Sequence, residues 1–141
     1  MRFTLMFPVC AATLMLAGGA LGAELRVDVP DADPASGALY VALFDSEQSF
    51  KARDSSHGAV ARDGTPSVVF TSLPPGPYAV AVFQDLNGNG KLDLNLMGVP
   101  TEPYGFSRNV TGDMGPPAFQ DAAVELTGGS QTEVIELRSG S

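Results

Sequence analysis

The residues best suited to chemistry lie together in the run Asp85-Leu86-Asn87-Gly88-Asn89-Gly90-Lys91-Leu92-Asp93. Side chains bearing oxygen stand first, third and fifth, a glycine stands sixth, and a carboxylate returns at the ninth position. Calcium is a hard cation held by roughly six to eight oxygens, and loops that bind it place side-chain ligands at this spacing, a carbonyl at the seventh position and a sharp turn at the sixth. The spacing therefore assigns Asp85, Asn87, Asn89 and Asp93 as side-chain ligands and Lys91 as the carbonyl donor. The twelfth position departs from the pattern, because Leu96 stands where a bidentate glutamate normally closes the site. Glu102 is the nearest carboxylate that can replace it, and Asp45 is a second if its strand lies beside Tyr78–Gln84. The same residues also read as a plain turn, since Asn-Gly pairs tolerate positive φ without any metal.

A second candidate surface follows, Gly98-Val99-Pro100-Thr101-Glu102-Pro103-Tyr104-Gly105-Phe106-Ser107-Arg108-Asn109. Tyr104 and Phe106 are aromatic contact groups of low conformational entropy, and Arg108 and Asn109 add polar atoms, so a ligand surface is one reading. The other reading is packing: the rings plug an open edge of the fold while the prolines fix the path of the chain.

Catalytic chemistry finds little support. The single histidine, His57, sits in a polar stretch with Asp54, Ser55 and Ser56. Those residues are too close in sequence to converge from separate elements, and no nucleophile elbow accompanies them. One histidine and one cysteine rule out a zinc pattern. Gly88-Asn89-Gly90 is too short for a phosphate loop and opens no helix. Carboxylate pairs such as Glu102 and Asp113 are common in acidic chains, so a carboxylate-based hydrolase or carbohydrate-active protein stands only as the rival reading.

The elements that must position these residues are short strands. The chain holds 16 glycines and 11 prolines, and they fall between apolar runs. Strict alternation predicts a strand at Leu25–Val29. Ser36–Asp45 is apolar on both faces and reads as a central strand covered on each side. Asp45 is a candidate helix cap, with Phe50 docking back. Residues 51–65 read as a loop. Val68–Leu73 and Tyr78–Gln84 flank Pro74-Pro75-Gly76-Pro77 and are expected to pair as a hairpin. Leu94–Phe119 shows no period and reads as one long ordered loop. Ala122–Leu126 and Thr132–Leu137 complete six or seven strands. The predicted fold is all-β, an antiparallel two-sheet sandwich of immunoglobulin-like or prealbumin-like type.

The first 23 residues read as a leader. Met1-Arg2 is followed by an apolar run from Phe3 to Leu16 and then by small residues to Ala23. That is the layout of a secretory signal peptide, with cleavage expected after Gly22 or Ala23. The run is shorter than the roughly 20 apolar residues that span a bilayer. The only cysteine, Cys10, falls inside it, so residues 24–141 form one domain without thiol chemistry. The chain carries a formal charge of −8, which repels nucleic acid and suits divalent cations. The expected location is periplasmic or secreted, with no membrane span in the mature chain.

The stretch from Tyr78 to Asp93, together with Gly98 to Ser107 and the Leu73-Pro-Pro-Gly-Pro-Tyr78 turn, resembles the exported bacterial proteins grouped as domain-of-unknown-function family 2141. The resemblance covers about Leu25 to Leu137. It implies a secreted sandwich of prealbumin-like or immunoglobulin-like type and no established activity. The turn is also similar to those of carboxypeptidase-regulatory and collagen-adhesin B-type sandwiches, an analogy at the level of fold alone. The expected function is that of an exported, non-catalytic protein that binds calcium or an extracytoplasmic ligand or protein partner through residues 85–109. A purely structural module of the cell envelope is the remaining alternative.

Overall fold

The computed structural model describes residues 22–33, 35–61, 66–112 and 115–138. The expected leader lies outside these residues except for Gly22 and Ala23, and Asp113 lies outside them as well. The chain is mostly β, with two sheets and two short helices. One sheet holds β1 (Ala23–Asp28), β4 (Ser67–Leu73) and β8 (Ser130–Val134), in the order β4-β1-β8. The other holds β2 (Ala38–Phe44), β3 (His57–Ala61), β5 (Gly76–Asp85) and β6 (Tyr104–Phe106), in the order β3-β2-β5-β6. β7 (Val124–Leu126) pairs with the first residues of β5.

The alternation seen in the sequence sets which side of each strand is buried. Ala23, Leu25 and Val27 face the core while Glu24 and Arg26 face solvent. Leu39, Val41 and Leu43 of β2 and Tyr78, Val80 and Val82 of β5 join them, with Phe70, Leu73, Leu126 and Ile135, in one apolar cluster that draws on both sheets. The opposite face of β2 is covered too, as its sequence predicts. Phe44 and Ala79 pack there with Phe50 of helix α1 (Glu47–Ala52) and Ala122 of helix α2 (Phe119–Ala122). Phe50 meets Phe44 edge-on at 5.2 Å and Phe106 at 6.0 Å.

Several expectations are corrected. The sheets are not wholly antiparallel, because β1 runs parallel to β8 while pairing antiparallel with β4. Eight strands are present among the described residues rather than six or seven. β4 and β5 do not form a hairpin: β4 pairs with β1, and β5 pairs with β2. The connection explains this. Tight hairpins need positive φ at their central residues, whereas proline holds φ negative and donates no hydrogen bond. Pro74-Pro75 therefore carries the chain from one sheet to the other, and the Tyr78 hydroxyl donates to the Pro74 carbonyl at 2.7 Å to fix the crossing.

The helix cap falls one residue later than expected. Ser46, not Asp45, accepts from the Ser49 amide at 3.1 Å, and the Ser49 hydroxyl receives the Ser46 N–H in return, a reciprocal box that satisfies two otherwise orphaned donors. Residues 51–65 are not all loop, since β3 pairs with β2 from Leu39↔Ala61 to Leu43↔His57. β3 was hidden because only its alternate small residues are partly buried, which leaves little hydrophobic signal. The stretch 94–119 is likewise interrupted by β6 and by a 3-10 turn at Ser107–Asn109.

Candidate functional site

β5 delivers the acidic loop. Its last residue, Asp85, pairs with Ala38 of β2, and the chain can lie this close only because Gly37 has no side chain: a Cβ there would stand 2.1 Å from the Asp85 carbonyl. The Asp85 carboxylate is buried and turns inward beneath the loop. It accepts the Gly88 N–H at 3.0 Å with one oxygen and the Gly90 N–H at 2.7 Å with the other. Both glycines take positive φ, 75° and 74°, so the loop coils over that carboxylate without strain.

The asparagines repeat the device one step outward. The Asn87 Oδ1 accepts from the Asn89 amide at 3.2 Å, and the Asn89 Oδ1 accepts from the Lys91 amide at 3.0 Å. Their Nδ2 groups converge on Asp93: Asn87 donates to its Oδ2, and Asn89 lies 2.8 and 2.9 Å from its two oxygens. These charge-assisted bonds hold the Asp93 carboxyl below the usual carboxylate range.

Glu102 enters from the far side of a short excursion. Leu94 bridges Pro100, the Thr101 amide donates to the Asp93 carbonyl at 2.8 Å, and the Gln84 amide donates to the Pro103 carbonyl at 2.9 Å. That path tucks Glu102 under the loop, where only 4% of it is exposed. Its carboxylate receives the Leu86 N–H at 2.7 Å and the Asp93 N–H at 3.1 Å, tying both ends of the loop together. Burial pushes the Glu102 carboxyl up; the two backbone donors pull against that, and the Asp93 and Asp85 carboxylates add to it.

Five of the six residues assigned to a cation by spacing (Asp85, Asn87, Asn89, Asp93 and Glu102) thus form one hydrogen-bonded unit, and the sixth, Lys91, closes its last turn. Leu96 projects fully into solvent. Asp45 is displaced from the loop. β2 runs antiparallel to β5, so Ala38 meets Asp85 while Phe44 meets Ala79 at the other end, which corrects Asp45 as a closing ligand. Among the described residues no three His, Cys, Asp or Glu side chains gather to hold a metal by themselves. A cation here needs the amide oxygens and the Lys91 carbonyl as well.

The second candidate surface is put to structural use. Tyr104 and Phe106 lie in β6 against Phe83 and Ala81, and Phe106 packs into the cluster around Phe50. The Tyr104 and Arg138 backbones exchange both hydrogen bonds, at 3.1 and 2.7 Å. Arg108 and Asn109 both take positive φ, 60° and 52°. They are held there because the Arg108 amide donates to Glu133 at 2.6 Å and Asn109 accepts the Glu136 amide at 2.9 Å. Two surface depressions, one lined by Gly22, Glu24, Thr71 and Ser72 and the other by Ser46, Glu47, Gln48 and Lys51, lie away from residues 85–109.

Two residues that hold this region together carry no signal in the pattern. Ser107 is wholly buried; its hydroxyl accepts the Val80 N–H at 2.9 Å and donates to the Ala122 carbonyl, joining β5, the 3-10 turn and α2. Gln84 is buried and donates to the Asp33 and Gly37 carbonyls. Each is an ordinary polar residue in sequence, and only its partners, 15 to 51 positions away, give it a role.

No curated protein and no solved structure matches the chain. Residues 27–134, which run from the last two residues of β1 to the end of β8 and include the whole 85–109 region, match the family described as "Uncharacterized protein conserved in bacteria (DUF2141)", and the chain belongs to that family.

Proposed function

We propose that this is an exported, non-catalytic protein whose two sheets form a sandwich of immunoglobulin-like or prealbumin-like type, and that the loop at its β5 end binds calcium. The observation that carries the reading is the placement of Glu102. A buried carboxylate sixteen residues beyond Leu86 accepts the Leu86 and Asp93 N–H groups, and so lies against both ends of a loop whose own twelfth position offers no ligand. The donors are all oxygens, two carboxylates and two amides from the loop with the Lys91 carbonyl and Glu102, which suits a hard cation and gives no foothold to a soft one. The charge of −8 favours cations over anionic partners. Export rests on the leader at residues 1–23; cleavage after Gly22 keeps Ala23, which is buried and paired with Leu73, as the first residue of β1.

Binding to the folded state alone stabilises it, by about 2.7 kcal/mol at a hundredfold excess over Kd. Thermal melts with calcium, with magnesium and with a chelator, paired with a calcium titration by calorimetry, test this. The midpoint rises with calcium and falls with chelator, and Asp85→Asn abolishes the difference. Equal midpoints together with no heat of binding defeat the reading.

A further inference from the structure

The loop contains two Asn-Gly pairs in succession, Asn87-Gly88 and Asn89-Gly90. This dipeptide is the one most prone to spontaneous deamidation, because glycine offers an unhindered backbone nitrogen beside the asparagine amide. The glycine nitrogen loses its proton and attacks the asparagine Cγ. The N–Cγ bond forms, the Cγ–Nδ2 bond breaks, and ammonia leaves with the proton. Water then opens the resulting succinimide. Opening at the backbone carbonyl's bond to nitrogen leaves the chain linked through the side chain (isoaspartate); opening at the side-chain carbonyl's bond gives ordinary aspartate. Water is the only co-reactant.

In the folded chain the groups this reaction needs are engaged at both pairs. The two attacking nitrogens, those of Gly88 and Gly90, each donate their proton to Asp85, at 3.0 and 2.7 Å. A carboxylate at that distance opposes loss of the proton, because the amide anion would face a second negative charge. The two target amides are held as well. Each Oδ1 accepts the backbone N–H two residues on, and each Nδ2 donates to Asp93. Rotation of either amide toward its own glycine nitrogen requires breaking those bonds. Asp85 is buried while Gly88 and Gly90 are exposed, so the protection rests on the two hydrogen bonds to its carboxylate and not on exclusion of water from the loop.

We propose that Asn87-Gly88 and Asn89-Gly90 are a paired deamidation site that Asp85 holds closed, so that modification is conditional on release of the Asp85 carboxylate. The outcome bears on the loop itself. Ordinary aspartate at Asn87 or Asn89 adds a carboxylate at the third or fifth position, while isoaspartate adds a backbone methylene between the turns that Asp85 organises. Release of Asp85 thereby converts a reversible opening into a covalent and irreversible change of the loop.

The test is peptide mapping by mass spectrometry, with fragmentation that separates aspartate from isoaspartate, on the full chain incubated at mildly alkaline pH. The folded protein is compared with the same protein in denaturant and with folded Asp85→Ala. Deamidation at both pairs is expected to be at least about tenfold slower in the folded protein than in denaturant, the lower range for loss of a charge-assisted hydrogen bond. Asp85→Ala should recover most of that difference at both pairs. Equal rates in the folded and denatured protein, or no acceleration in a folded Asp85→Ala, overturn the proposal. Amide exchange in the unaltered protein supplies a measurement free of the variant's folding: Gly88 and Gly90 must be protected, and exchange at the unprotected rate is equally fatal. Neither readout involves a cation, so failure here is separable from failure of calcium binding.

Discussion

Glu102→Ala tests whether the remote carboxylate holds the loop. Two backbone donors, Leu86 and Asp93, lose a charged acceptor at 2.7 and 3.1 Å, and that acceptor belongs to a side chain only 4% exposed. Hydrogen bonds to charged groups contribute roughly 1.5–3 kcal/mol each. The lower figure applies, because Asp93 is only partly buried and water reaches the loop once the side chain is gone. Two such bonds amount to about 3 kcal/mol. Against this stands the relief of removing a carboxylate whose pKa is pushed up first by burial and then by the neighbouring Asp93 and Asp85 carboxylates. A net loss of about 2 kcal/mol follows, and in a domain of this size that lowers Tm by roughly 8 °C. Urea denaturation without added cation measures it, and the midpoint should fall with little change in slope. Glu102→Gln separates shape from charge. It keeps the size of the side chain but turns an NH2 toward one of the two N–H donors, so it should cost nearly as much as alanine. A loss below about 0.5 kcal/mol for both variants would mean that water replaces Glu102 without penalty, and that the carboxylate is not what ties the two ends of the loop together.

Ser107→Ala leaves the Val80 N–H and the Ala122 carbonyl without their buried partner and should cost about 1–3 kcal/mol in denaturant melts; a neutral result shows that the hydroxyl is dispensable. Phe50→Ala empties the centre of the aromatic cluster formed with Phe44, Phe106 and Phe119, with an expected loss of about 3 kcal/mol by the same assay. Asp28 is held below the usual carboxylate range first by its bond to Arg26, then by the Ser67 hydroxyl. Its folded value is the lower one, so its contribution is present above the unfolded pKa and is lost as pH falls through the folded one. Asp28→Asn should therefore flatten the acid limb of the stability–pH curve and leave its shape near neutrality unchanged.

Much of the fold is legible in the residues. Alternation in Leu25–Val29 and the doubly apolar Leu39–Phe44 identify β1 and β2, because burial on one or both faces writes itself into the pattern of side chains. The boundaries of β4 and β5 are legible for the same reason, yet their partners are not. Alternation records which face is buried and carries no information on which strand lies alongside, so the hairpin expected at Pro74-Pro75 proved to be a crossing between sheets. β3 escaped because its residues, His57-Gly-Ala-Val-Ala61, bury too little to stand out from a loop.

The same division runs through the Asp85–Asp93 loop. Its sequence determined the local coil: two glycines at positive φ, and asparagines whose side chains bond the backbone two residues on, are properties of nearest neighbours. It also determined the chemistry on offer, which is oxygen donors without thiol or imidazole. Only the tertiary structure decided which distant carboxylate joins the loop. Glu102 was the first candidate and Asp45 a conditional second, and the antiparallel register of β2 on β5 sends Asp45 to the far end while the Pro103–Gln84 bond brings Glu102 beneath. The positions of Tyr104, Phe106, Arg108 and Asn109 depend in the same way on distant partners, through β6 and through contacts with Glu133 and Glu136. The physical reason is one of range. Turn geometry and ligand spacing are encoded by adjacent residues, whereas a buried charge or hydroxyl acquires its partners only when strands far apart in the chain fix their register.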